Sequence, residues 1–320
     1  MKKLSIYRHL PRYRSQKPSA VTIGNFDGVH LGHQTILQQL CQHAEKNQLL
    51  PTVMTFTPHP RAYFAQQAQR PELLPAQIST QRDRLARLYQ NGIEQIILLR
   101  FNHNLAATEA YEFVANLLVE GLNTRWLLVG RDFRFGHRRS GDIALLKEMG
   151  TQFGFKVKII EDIVDAEQQR ISSTEIRTAL GLGDLQRSKR LLGHPYRVSG
   201  HVLHGRKLGR TLNYPTLNLR IPHPFALRSG VYAVQVHGLE AEPINGVASL
   251  GIRPTVEEHG RLLLEVHLFD RDIDAYGKLV CVDFLHFLRD EEKFPDLESL
   301  RAAISADASS AQDYFTTHGL

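Results

Sequence analysis

The chain is poor in cysteine: Cys41 and Cys281 are the only two in 320 residues. They stand far apart and outside any metal-ligand spacing, which argues against a disulfide scaffold and a zinc site and fits a reducing compartment. No apolar run is long enough to span a bilayer. Met1-Lys2-Lys3 begins like the basic end of a signal peptide, but Tyr7, Arg8, Arg12 and Arg14 leave no apolar segment behind it. The expectation is a cytoplasmic protein with no membrane partner. Internal repeats and low-complexity segments are also lacking. So are G-x-G-x-x-G and G-x-x-x-x-G-K-[ST], which makes a nicotinamide-dinucleotide enzyme or a P-loop kinase an unsuitable reading. Long basic runs are missing; Gly136-His137-Arg138-Arg139 is the densest local cluster. The net charge of +6 fits nucleic acid and polyphosphate substrates equally well. Exposed aromatics interleaved with basic residues are not found either, so no nucleic-acid partner is expected.

What is present organises the chain into two parts. With 320 residues and 42% hydrophobic content there is material for two cores. From residue 20 to about 180, short apolar runs at Ala20–Ile23, Thr52–Phe56, Gln95–Leu99, Trp126–Gly130 and Val157–Glu161 alternate with helical patterns. The helical patterns fall at Gln34–Gln48, Thr80–Gln90, Thr108–Val119 and Ile143–Phe153. Such alternation predicts an α/β, doubly wound parallel sheet that binds ligands at its strand C-termini. Beyond Pro195 the pattern turns to β-type alternation at Tyr196–His204, Val231–His237, Ile244–Leu250, Leu262–Phe269 and Leu279–Phe287. That predicts a small antiparallel β-barrel, followed by a C-terminal helix from about Leu297 to Phe315. The reading places one domain at 1–185 and a second at 186–320.

The densest chemistry lies in Gly24-Asn25-Phe26-Asp27-Gly28-Val29-His30-Leu31-Gly32-His33. It follows the first strand and enters the first helix, so two imidazoles three residues apart meet free N–H groups and the positive end of a helix dipole. The glycines permit close approach of a bulky anion. A site for chemistry at a nucleotide phosphate is the result. Two further segments follow other strands: Pro58-His59-Pro60, and Arg131-Asp132-Phe133.

Arg170-Ile171-Ser172-Ser173-Thr174-Glu175-Ile176-Arg177 opens another helix. Ser and Thr there serve equally well as a helix N-cap or, with the flanking arginines, as a second anion cradle. In the second part, Gly205-Arg206-Lys207-Leu208-Gly209-Arg210 forms a basic glycine loop before Asn213-Tyr214-Pro215-Thr216-Leu217-Asn218. Thr216 and Asn218 share one side of an extended segment. Their oxygens suit Mg²⁺, although a basic turn followed by two exposed polar residues explains the same spacing. Glu265 is the one carboxylate inside the apolar Leu262–Phe269 run. By alternation it shares a face with Leu263, His267 and Phe269, and an outward solvated glutamate is the ordinary explanation.

The strand, Gly-Asn-Phe-Asp-Gly, His-x-Gly-His and helix combination resembles the nucleotidylyltransferases, in the FMN adenylyltransferase branch. Ser-Ser-Thr-x-x-Arg matches the same group. The glycine loop with Pro-Thr-x-Asn resembles riboflavin kinase, and Gly230-Val231-Tyr232-Ala233, Gly251-Ile252-Arg253-Pro254-Thr255 and Leu264–Asp270 follow that family in order. Nearly the whole chain thus resembles the bifunctional riboflavin kinase/FMN adenylyltransferases of bacteria. The resemblance implies small-molecule substrates: ATP with riboflavin to make FMN, then ATP with FMN to make FAD and pyrophosphate. It also implies that His30 and His33 stabilise adenylyl transfer, with Gly24, Asn25, Phe26, Asp27, Gly28, Gly32, Arg170, Ser173, Thr174 and Arg177 around the nucleotide. Pro58, Pro60, Asp132 and Phe133 would border the flavin there. In the kinase, Gly205, Lys207, Gly209 and Arg210 would hold ATP, Thr216 and Asn218 Mg²⁺, and Glu265 would be the general base. Two residues depart from the kinase pattern: Asn213, where the family has glycine, and Ser249, where it has asparagine.

Overall fold

The computed structural model describes residues 3–9, 17–161, 163–165, 169–204, 214–222, 224–253, 261–271 and 273–320. The chain divides into two compact units, one of residues 1–75 and 84–172, the other of 76–83 and 173–320.

The first unit is a parallel six-stranded sheet. Its strands are β1 (Ser5–Tyr7), β2 (Ser19–Ile23), β3 (Leu50–Thr57), β4 (Gln95–Arg100), β5 (Thr124–Gly130) and β6 (Lys156–Ile160). They lie in the order β1-β4-β3-β2-β5-β6. Every residue of β2 is buried, as expected for a central strand covered on both faces. Alternate side chains feed two cores. Val21, Ile23, Met54, Ile97 and Leu127 join one; Ala20, Val53, Ile96 and Leu128 join the other. Strand order reverses at β2, between β3 and β5, so the loop leaving β2 lies at the topological switch point of the sheet.

Helices α1 (Leu31–Lys46), α2 (Pro60–Gln67), α3 (Gln81–Gln90), α4 (His103–Ala107), α5 (Ala110–Glu112) and α6 (Ile143–Phe153) connect the strands, with a π-type stretch at Phe113–Gly121 continuing α5. Leu37, Leu40 and Ala44 of α1 recur at helical spacing and bury against the sheet. Strand β1 and helix α2 lie outside the sequence-based expectations. Three residues are too few to show a period. Helix α2 carries Pro60 at its start, where a missing N–H costs nothing, and His59 accepts from the Arg61 N–H at 3.1 Å.

The second unit begins with α7 (Ser173–Gly181) and α8 (Leu185–Leu192). An antiparallel sheet follows: β7 (Tyr196–His201), β8 (Thr216–Arg220), β9 (Gly230–His237), β10 (Ile244–Arg253), β11 (Arg261–Leu268) and β12 (Leu279–Arg289). Its order is β7-β12-β9-β10-β11-β8. The sheet curls until its edges approach, and the Leu203 N–H donates to the Asn218 carbonyl at 2.8 Å. Helix α9 (Leu297–His318) packs Ala308, Ala311 and Phe315 on Val231, Ala233 and Val247. Asp296 caps it, accepting from the Ser299 N–H at 2.7 Å.

Candidate functional sites

In the first unit, the chain leaves β2 through Gly24–Val29. Phe26 and Val29 adopt positive φ, 50° and 41°, which costs a bulky or β-branched residue about 1–3 kcal/mol each. Both side chains are buried, and packing holds the loop in this shape. The turn delivers His30 as the cap of α1: its Nδ1 accepts from the His33 N–H at 3.3 Å. Accepting at Nδ1 leaves the proton of a neutral ring on Nε2. The two imidazoles stack with centroids 3.7 Å apart, and Phe26 packs on His33 at 4.9 Å. Burial, then the neighbouring His30, lowers the His33 pKa well below its ordinary value. A Cβ at position 32 would stand 3.2 Å from the His30 ring, so glycine leaves that ring its place. The Asn25 Oδ1 and the His33 Nδ1 are buried without hydrogen-bond partners among the described residues. Polar atoms orphaned in this way are rare unless a ligand, an ion or an ordered water completes them.

The other expected residues of this unit divide between exposed and packed positions. Asp132 is exposed and pairs with Arg170 at 3.5 Å, which joins two of them directly. Phe133 packs against the core and stacks on Phe135 at 5.7 Å. Pro58 is exposed at the end of β3, and Pro60 starts α2. Beside them Phe56, Tyr63, Phe64 and Phe101 form an aromatic cluster with centroids 5.3–5.8 Å apart, and Phe64 is 53% exposed. Sequence reasoning missed this cluster because its members come from a strand, a helix and a loop. Ser173, Thr174 and Arg177 lie on α7, in the second unit, where the Arg177 Nε donates to the Ala76 carbonyl at 2.7 Å.

In the second unit, strand register assembles a row across three strands. Asn218 on β8 stands opposite Glu265 on β11, which stands opposite Ser249 on β10. Thr216 opposes His267 in the next row on the same face. The expected face of Glu265 is thus correct: Leu262, Leu264, Val266 and Leu268 are buried on the other side. The His267 Nδ1 donates to the Pro215 carbonyl at 2.9 Å, tying β11 to the segment that enters β8. Asn218 is 6% exposed, its Nδ2 donates to the Thr216 carbonyl at 3.3 Å, and its Oδ1 is buried without a partner among the described residues.

Glu265, Ser249, Thr216 and Tyr214 line a cleft of about 280 Å³ beneath α9. Val231, Val247, Phe294, Leu300 and Ile304 supply its apolar wall. Across it, Arg289 makes two hydrogen bonds of 2.7 Å to the Asp307 carboxylate and fastens α9 to β12. Glu291 faces the same space, and burial together with the Glu265 charge raises its pKa. This mixture of apolar wall and few polar groups suits a small organic ligand. The expected ATP-loop residues Gly205, Lys207, Gly209 and Arg210, and the departure at Asn213, lie outside the described residues.

Comparison with known proteins separates the chain along the same lines. The FAD synthetase family model matches residues 13–175, and the riboflavin kinase model matches 192–315. A bifunctional riboflavin kinase/FMN adenylyltransferase of Haemophilus influenzae is 43% identical over 93% of this chain and 94% of its own. The protein of the same description from Escherichia coli K12 is 40% identical, over 94% of each. A crystal structure described as a macrolide-efflux protein from Streptococcus pneumoniae has a TM-score of 0.76 at 30% identity, covering 95% of this chain and 97% of that one. No helix among the described residues here is long and apolar enough to cross a membrane. With both family models in order and relatives matched along nearly their full lengths, the chain belongs to the bifunctional riboflavin kinase/FMN adenylyltransferase family.

Proposed function

We propose that this chain makes FAD from riboflavin in two ATP-dependent steps, with a riboflavin kinase domain at 186–320 and an FMN adenylyltransferase domain at 1–185. In the first step the γ-phosphoryl group of ATP passes to the riboflavin 5′-hydroxyl. Glu265 takes the hydroxyl proton, and the cleft under α9 orients the flavin, with its rings on the apolar wall. Thr216 and Asn218 are the residues to hold Mg²⁺. The orphaned Asn218 Oδ1 is a hard oxygen ligand of the right kind, and the ion supplies charge neutralisation at the transferring phosphate.

In the second step a phosphate oxygen of FMN attacks the α-phosphorus of another ATP, and pyrophosphate leaves. The nucleophile is already ionised at neutral pH, so no general base is required. His30 and His33 stabilise charge on the transferring and leaving phosphates from the mouth of α1. Asn25, Arg170, Ser173, Thr174 and Arg177 orient the nucleotide, while Pro58, Pro60, Asp132 and Phe133, with the aromatic cluster beside them, border the flavin.

The observation that carries the reading is that each unit has its own polar site: the stacked His30–His33 pair in one, the Asn218–Glu265–Ser249 row in the other. Chromatographic product analysis after mixing riboflavin, ATP and Mg²⁺ with the protein tests it. The parent yields FMN and FAD. His30→Ala stops at FMN, and Glu265→Gln makes FAD only when FMN is supplied. Loss of FMN together with FAD in His30→Ala, or failure of Glu265→Gln to make FAD from supplied FMN, refutes the two-site scheme.

A further inference from the structure

Arg84 on α3 brings a positive charge to the ligand end of the first sheet, where Asp27 acts on it but, among the described residues, no carboxylate makes an ion-pair contact with it. Its Nη1 donates to the Asn25 carbonyl at 3.1 Å and its Nη2 to the Phe56 carbonyl at 3.4 Å. These carbonyls belong to the loop leaving β2 and to the C-terminal part of β3. The Nε is buried without a partner, and Arg84 forms no ion pair among the described residues. Burial lowers its pKa, and the charge of the buried Asp27 acts the other way.

Buried charges in proteins are ordinarily paired or bound to an ion, because the desolvation cost is otherwise uncompensated. A clamp on two carbonyls needs hydrogen-bond donors but no charge. The Thr55 hydroxyl shows this, donating to the same Asn25 carbonyl at 3.3 Å. The charge, opposed by Asp27 without an ion-pair contact, is more than the clamp requires. Around it the parallel strands end at the switch point, and the buried Asn25 Oδ1 and His33 Nδ1 also lack partners among the described residues. A polyanion arriving at this end of the sheet would balance the guanidinium and accept from its Nε and from the His33 ring with its proton on Nδ1, while the Asn25 Oδ1, an acceptor, would need a donor group of the same ligand.

We propose that Arg84 is a positioning residue of adenylyl transfer: its Nη donors fix the Asn25 loop, and its charge is balanced by the phosphates of bound ATP or pyrophosphate. The proposal rests on the assignment of FAD formation to the first unit. A Lys in its place keeps the charge and loses the two-point clamp; a Met keeps the stem and loses both.

The test uses the full-length protein, with riboflavin phosphorylation and FAD formation assayed separately and pyrophosphate as an inhibitor of FAD formation. Arg84→Met is expected to lower kcat/KM for FAD formation about 100-fold and to weaken pyrophosphate inhibition about tenfold, the scale of losing a charged group at a transition state. Riboflavin phosphorylation stays within about twofold, and Arg84→Lys recovers about a tenfold share of the loss, because charge is what it retains. Thr55→Val, which loosens the Asn25 carbonyl without touching the charge, leaves pyrophosphate inhibition within about twofold. It keeps the comparison available should Arg84→Met fail to fold. FAD formation near the parent rate in Arg84→Met, no advantage of Lys over Met, or equal weakening of pyrophosphate by Thr55→Val each overturns the proposal. Undiminished FAD formation in His30→Ala instead overturns the assignment of that reaction to this unit.

Discussion

Glu291 rests its carboxylate against the backbone of Gly251, in the space a Cβ there would occupy. Gly251 lies two residues along β10 from Ser249, on the face that carries Glu265 in the neighbouring strand. The glycine is thus a seat for a second carboxylate at the proposed kinase cleft. Gly251→Ala must push that carboxylate out. Riboflavin phosphorylation should fall about tenfold, as small displacements around a reacting group do, while FAD formation from supplied FMN stays at the parent rate. An unchanged rate of phosphorylation would show that the Glu291 position is irrelevant to the reaction.

Asn218 makes a separate prediction about metal. Its buried Oδ1 has no partner among the described residues, although its amide nitrogen is already engaged. Replacement by alanine removes the oxygen without disturbing the β8 backbone pairing. Asn218→Ala should raise the Mg²⁺ concentration for half-maximal riboflavin phosphorylation about tenfold or more, a typical cost for losing one group at a metal site. A Mg²⁺ titration that superimposes on the parent curve removes Asn218 as a ligand.

Gly32 bears on the other reaction. A methyl group at this position lies within 3.2 Å of the His30 ring and 3.4 Å of the Ile171 carbonyl, so the more movable ring gives way. Since His30 is stacked on His33 and caps α1, a shift of one ring disturbs both. Gly32→Ala should reduce kcat for FAD formation about 10- to 100-fold, with thermal stability little changed, since rate depends on placement more steeply than folding does. Comparing kcat with the midpoint of thermal unfolding decides it.

These sites were unequally legible in the sequence. The buried run Ala20–Ile23 announced the strand Ser19–Ile23, and His-x-Gly-His after it falls where the chain enters α1 at the switch point of the sheet. Glu265 could be assigned its face because alternation in β11 is strict. What alternation leaves out is pairing between distant strands: that Asn218 and Ser249 flank Glu265 follows only from register. Helix α3 carries Arg82, Arg84 and Arg87, and nothing in its pattern tells which one turns inward. The Arg289–Asp307 fastening is equally hidden, as one partner lies on a strand and the other on a helix. Long-range polar contacts have no period, so sequence reading loses them first.

The half-buried His33 has a consequence for stability in acid. Burial and the proximity of His30 lower its pKa well below 6.5, so the unfolded chain takes up this proton more readily than the folded one. Stability from this group is therefore complete above about pH 6.5 and declines as the pH falls towards the depressed native value, by at most about 1.4 kcal/mol per pH unit. His43 and His286, whose pKa values are also lowered by burial, add slope of the same sign. His33→Gln cannot titrate and should lose less stability between about pH 7 and pH 5, while the contributions of the other two histidines persist. Thermal unfolding of parent and variant across that range measures the difference. Parallel curves would mean that His33 is protonated with equal ease in both states, and that the site is open enough to solvate its charge.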